Sequence, residues 1–193
     1  MRKIFFLLVV VVISINAKPQ LTGEQVSIKK TFFDFLAFYQ KNEEKFYSFK
    51  LYKGVGENND PPYHIQWKEV EKYFSWLRSN VPYVGEEYIK NEKKDFQFYD
   101  SCFKAEPDEE IPFGFDYDRW AGGQESIEYM IVWYTSPKNK YVVNINGDKA
   151  ELKIGSELWQ GAEEKDRAWS VVPFVREKGV WKMAANVYPS DNE

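Results

Sequence analysis

Apolar residues open this chain as one block and then recur at two different periods. Residues 4–13 form an unbroken apolar run behind Arg2 and Lys3, and Ala17 follows three residues after Ser14. A positive start, a short apolar stretch and a small residue make the pattern of a cleaved secretory signal peptide, about residues 1–17. The competing reading is a membrane anchor, but a spanning helix needs roughly 20 apolar residues. No Cys lies beside the cleavage point, so lipid attachment there is excluded.

The next stretch carries a helical period. Thr22 and Gln25 have capping-box spacing, and Val26, Phe32, Phe33, Leu36 and Tyr39 follow at helical intervals, which predicts a helix over 22–41. The charged stretch 41–45 is expected to end it. Residues 46–52 carry four aromatics and either extend the helix or form an irregular arm. Gly54, Gly56, Asn58, Asn59, Asp60, Pro61 and Pro62 read as a loop. Trp67, Val70, Phe74 and Leu77 share one stripe, so a second helix is predicted over 65–79. A third runs over 86–105, with its charged middle, 90–94, facing solvent. Residues 106–123 form a long loop in which Phe113, Phe115, Tyr117 and Trp120 alternate with charges. So many aromatics require that loop to be partly packed, and long packed loops are often functional.

Thereafter the period shortens to two. Tyr129, Ile131, Trp133 and Thr135 read as one face of a strand over 128–135. Strands at 141–145 and 149–154 flank Asn146-Gly147, and strands at 168–176 and 180–187 flank residues 177–179, giving two hairpins. Residues 190–193 are a polar tail. Helices first and strands afterwards predict an α+β domain over 18–193, its N-terminal helices packed on a curved antiparallel sheet.

Composition narrows the function classes. With 15 Phe, 13 Tyr and 7 Trp the chain is too aromatic to be a disordered tail. One Cys and one His exclude an internal disulfide or a Cys/His zinc site. No cofactor is expected. Loss of Arg2 and Lys3 with the signal peptide takes the net charge from −4 to −6, so nucleic acid is not an expected partner. No second long apolar run follows, and no transmembrane segment is expected in the mature chain. Cys102 is expected to be buried.

The sequence offers few catalytic constellations. His64 has no nucleophile or orienting carboxylate beside it and reads as a helix-entry residue rather than a general base. Asp116 and Asp118 could pair for acid/base work or hold a hard cation; the plainer reading is loop anchoring, with one of them pairing Arg119 or capping backbone N–H groups. Gly122-Gly123-Gln124-Glu125 gives a tight turn followed by an amide and a carboxylate, without a phosphate-binding pattern. Ser101, Ser126 and Ser136 lie in no nucleophile motif. The tryptophans of the predicted strands, Trp133, Trp169 and Trp181, read as core. Trp120 and Trp159 divide between core and exposed stacking surfaces for a partner or a sugar.

Three segments together carry a family resemblance: the aromatic first helix (32–39, FFDFLAFY), the block 111–125 (IPFGFDYDRWAGGQE) and the closing 179–183 (GVWKM). Over about residues 26–187 the chain resembles a family of secreted bacterial envelope proteins of unknown function. That family has a cystatin-like fold of the nuclear-transport-factor-2 type, and some relatives are immunity proteins that neutralise peptidoglycan-cleaving type VI secretion effectors in the periplasm. The block ending in Gly123-Gln124-Glu125 looks like the family's phenylalanine-then-Gln-acid motif, with Glu125 where an Asp is expected. The resemblance implies a cone-shaped fold, a periplasmic or secreted location and a protein partner in the cell envelope. The expected function is therefore a non-enzymatic binding protein, of the immunity type that inhibits a cell-wall hydrolase. Its binding residues are expected to be Asp116, Tyr117, Asp118, Arg119, Trp120, Gln124 and Glu125. Two alternatives stay open. One is an enzyme or small-ligand site inside the cone, lined by Asp116, Tyr129 and Trp133. The other is glycan binding through Trp120 and Trp159.

Overall fold

The computed structural model describes residues 21–190; the expected signal peptide lies outside the described residues. The first helix, α1 (Gly23–Tyr47), begins with the expected capping box, in which Thr22 and Gln25 exchange side-chain and backbone bonds. It runs past the charged stretch 41–45 instead of ending there. Lys and Glu are good helix formers, and Phe46 returns the chain to the buried stripe of Ile28, Phe32, Phe35, Leu36 and Tyr39.

Residues 54–62 do not form an open loop. They contribute to a two-stranded hairpin, β1 (Tyr52–Val55) against β2 (Asp60–Ile65), with Tyr52 opposite Ile65. Pro61 and Pro62 are tolerated because a two-stranded sheet consists of edges. Asn59, at φ +58, accepts the Gly54 N–H on its side-chain oxygen at 2.6 Å and closes the turn. Helices α2 (Trp67–Asn80) and α3 (Glu86–Ala105) follow as expected, and α3 lies against β2. The charged middle of α3 has one exception to its solvent-facing role: Glu92 is buried.

Residues 128–135 are a helix rather than a strand, α4 (Ile127–Thr135). Ser126 caps it by accepting the Tyr129 N–H, and Ile127, Met130 and Tyr134 are its buried positions. Those positions are three and four apart, the helical spacing. The segment is apolar enough to satisfy a period of two as well, and burial against α1 decides between them. Trp133 therefore sits in a helix, half-buried.

The larger sheet is antiparallel, in the order β3 (Lys140–Asn146), β4 (Lys149–Gly155), β5 (Trp169–Glu177), β6 (Val180–Met183), and β7 (Tyr188–Ser190) also pairs β5. Both predicted hairpin turns are present, with positive φ at Gly147, Lys178 and Gly179. The predicted last strand, 180–187, ends at Met183, and a further short strand, β7, lies beyond its predicted end. Chain leaves β5 after Met183 and returns further along the same strand as β7, opposite Trp169–Val171. Val143, Leu152, Ile154, Val172, Phe174 and Met183 supply the sheet's part of the core. Helix α1 covers β3 and β6, fastened by Gln25, which donates to the Val143 carbonyl at 2.9 Å, and by Glu24, which accepts from Trp181 at 3.2 Å. The described residues thus form an α+β assembly of four α-helices and antiparallel sheet. Among the described residues, no helix is long and apolar enough to cross a membrane.

Candidate functional site

Between α3 and α4 the chain makes its long connection, and Asp118 organises it. Its carboxylate accepts the backbone N–H groups of Trp120 at 3.0 Å and Ala121 at 2.9 Å, and the Tyr39 hydroxyl donates to it at 2.8 Å. Its own backbone pairs with Gly123, and its carbonyl accepts from Gly122 at 2.7 Å. Gly122 has φ +71, and a Cβ there would lie 2.6 Å from the Val187 side chain, so the turn requires glycine. Burial pushes the Asp118 carboxyl above its ordinary range, against the lowering effect of its donors. The loop-anchoring reading of Asp118 holds in its capping form: it caps N–H groups and does not pair Arg119.

That turn sends the next two side chains inward. Arg119, 4% exposed, reaches Glu92, 1% exposed, with Nη2 2.9 Å from Oε1. The guanidinium lies over the Phe96 ring at 4.4 Å, with Tyr99 and Phe115 at 5.6 and 5.5 Å. Burial works against the charge of Arg119, but Glu92 keeps it above the usual guanidinium value. Burial also raises Glu92, although Arg119 and Asn186 draw it back. Trp120 packs against Tyr39, Phe46 and Tyr47, and its indole N–H donates to the Tyr73 hydroxyl at 2.7 Å.

Two recesses adjoin along this loop and share Tyr47, Phe115 and Tyr117. The first is a cleft of about 500 Å³ between the loop and the end of α1 with β1. Tyr47, Phe49, Tyr52, Phe115, Tyr117 and Trp120 give it aromatic walls, and Lys50, Asn59 and Arg119 are its other polar members. The second, about 350 Å³, is lined by Glu43, Asp116, Asp118 and Glu125, with Gln124 and Ser126 beside them and, among the described residues, neither Lys nor Arg. Glu43 is raised above its ordinary range, first by burial and then by Glu128, Asp118 and Glu44 nearby.

No family model matches the chain, and no curated protein or solved structure matches it. The site must be read from its own geometry.

Every residue expected in the loop lines one of the two recesses. Tyr117, Arg119 and Trp120 belong to the cleft, and Asp116, Tyr117, Asp118, Gln124 and Glu125 to the acidic recess. Their roles divide sharply. Arg119 and Trp120 are core, whereas Tyr117 is 40% exposed and Asp116, Gln124 and Glu125 face solvent. Tyr129 and Trp133 line neither recess: Tyr129 is exposed on α4, and Trp133 stacks edge-on against Tyr134. Trp159 is exposed in the β4–β5 connection and also lies in neither recess. The interior site of the alternative reading is not assembled from Asp116, Tyr129 and Trp133; the recess that does lie between a helix and the sheet, about 700 Å³, is lined by Glu87, Lys90 and Asn91 of α3 and by Asn144, Glu151 and Phe174 of the sheet. Sequence reasoning did not connect Glu43, Tyr47, Phe49, Tyr52 and Asn59 to the loop. The signal was the aromatic run at 46–52, whose second wall lies some sixty residues further on.

Proposed function

We propose that this is a non-enzymatic binding protein of the bacterial cell envelope that docks a partner protein on the face formed by the two recesses. One observation carries the reading. A recess with four carboxylates and, among the described residues, no cation lies directly beside exposed tyrosine rings, on a loop braced from beneath by Asp118 and Arg119. Such a surface complements a basic segment with an apolar or aromatic tip, and its charge would speed encounter with a basic partner. The family resemblance makes a cell-wall hydrolase the partner class and steric plugging of its cleft the mechanism. It also implies a cystatin-like fold of the nuclear-transport-factor-2 type, with which helices preceding an antiparallel meander are compatible.

The test is capture from an envelope extract by the mature protein, compared with Asp116→Lys/Glu125→Lys and with Tyr117→Ala. The proposal expects one basic protein to be retained by the wild type, weakly by the charge reversal, and with salt sensitivity. Recovery of no protein, or equal recovery by all three, overturns it. Glycan stacking has less support, since Trp120 is buried and Trp159 stands alone.

A further inference from the structure

We propose that the aromatic cleft is a site for a small organic monoanion, a carboxylate on an aromatic or alkyl body, with Arg119 as its anchor. The inference does not rest on the docking reading; it rests on how Arg119 is left. A guanidinium carries five N–H donors in one plane. Glu92 engages Nη2 alone, and Nε and Nη1 are buried without any acceptor. The pair is not the bidentate fork that a purely structural Arg–carboxylate bridge favours. Glu92 is shared instead: Oε1 also accepts from Asn186 at 2.6 Å, and Tyr73 lies 3.4 Å from Oε2. The rings of Phe96, Tyr99 and Phe115 offer the guanidinium faces, which attract its charge but do not satisfy N–H groups in its plane. A buried donor left unsatisfied keeps its desolvation penalty, and the penalty is larger when the donor is charged. An incoming carboxylate recovers that cost.

The cleft in which Arg119 stands suits the rest of such a ligand. Its volume of about 500 Å³ lies in the range of small-molecule sites, and its walls are mostly aromatic. Lys50 adds a second cation. The four carboxylates next door disfavour a polyanion, which excludes nucleotides and polyphosphates and leaves a single negative charge. Phe115 is the gate. It lies against the guanidinium, and its ring also packs 4.5 Å from Tyr52 across the cleft. In this proposal the ring moves aside to admit the ligand to Arg119.

Titration calorimetry with 3-phenylpropanoate, 3-phenylpropanamide and 3-phenylpropylamine tests this on the mature protein. The carboxylate should bind saturably, and the matched amide and amine at least about ten-fold more weakly, the worth of a charge-assisted pair of hydrogen bonds. Arg119→Lys keeps a cation for Glu92 but loses the planar fork, and should weaken the carboxylate about ten-fold. Lys50→Glu, an exposed change that leaves the core intact, should weaken it too. Phe115→Trp should block it. Equal binding of carboxylate and amide, no saturable carboxylate binding, or binding unchanged in a folded Arg119→Lys or Lys50→Glu protein overturns the proposal.

Discussion

Replacing Arg119 by Met leaves Glu92 as a carboxylate 1% exposed with no cation. Breaking a buried ion pair from one side costs about 3–5 kcal/mol, because the remaining charge keeps its desolvation penalty. Two features of the site set where in that range the cost falls. Asn186 still donates to Glu92, which moderates it. The carboxylate can also bind a proton: burial already raises it, and loss of Arg119 removes the strongest influence drawing it down. The cost should therefore be largest at alkaline pH and shrink on acidification. At about 2–4 °C per kcal/mol for a chain of this size, the melting temperature should fall about 10 °C at pH 8 and less at pH 5.5. The double variant Glu92→Met/Arg119→Met removes both charges and should regain most of the loss, since an apolar pair of similar volume is often neutral or better. Urea denaturation of wild type, both single variants and the double variant closes the cycle. A single Arg119→Met cost under about 1 kcal/mol, or a double variant no better than the single, refutes the account of Arg119 as a buried charge dependent on Glu92.

Two further outcomes follow from the same loop and its surroundings. Gly122→Ala should destabilise by about 2 kcal/mol or more, since it combines an unfavourable backbone region with a clash against Val187; an unchanged urea midpoint would contradict the requirement for glycine. Between pH 7 and pH 5 the melting temperature should hold or rise. Burial raises Glu92, Asp95 and Asp118 above their unfolded values, so the folded state binds protons more readily and gains stability as pH falls through those folded values. Glu164, held down to about 2 by Arg167 and Lys140, adds stability that is lost only below the ordinary glutamate range. A steady fall in melting temperature from pH 7 to pH 5, followed by circular dichroism, would contradict this sign.

Local chemistry was enough to locate much of the chain. The Thr22/Gln25 capping box, the apolar stripe of α2 and the Asn146-Gly147 turn each act within a few residues, so their elements could be read directly. The loop at 106–123 was recognisable because its aromatics exceed what an exposed connection tolerates. Other decisions were not local. Residues 127–135 satisfy both periods, and only packing against α1 selects the helix. Tyr52–Val55 and Asp60–Ile65 pair although Gly54 interrupts the first and Pro61-Pro62 the second, because their side chains pack onto α3 and the loop. The candidate site divides in the same way. That residues 116–120 belong to a partly packed loop was legible from its aromatics, and Gln124-Glu125 was singled out through the resemblance of the block 111–125. That Arg119 turns inward, that its partner is Glu92 from a stretch expected to face water, and that an aromatic wall from α1 and β1 completes the cleft were settled only by tertiary structure. The physical reason is that a charge is stable inside a protein only through its partner. That partner stands on α3, 27 residues away, where no local pattern can reach it.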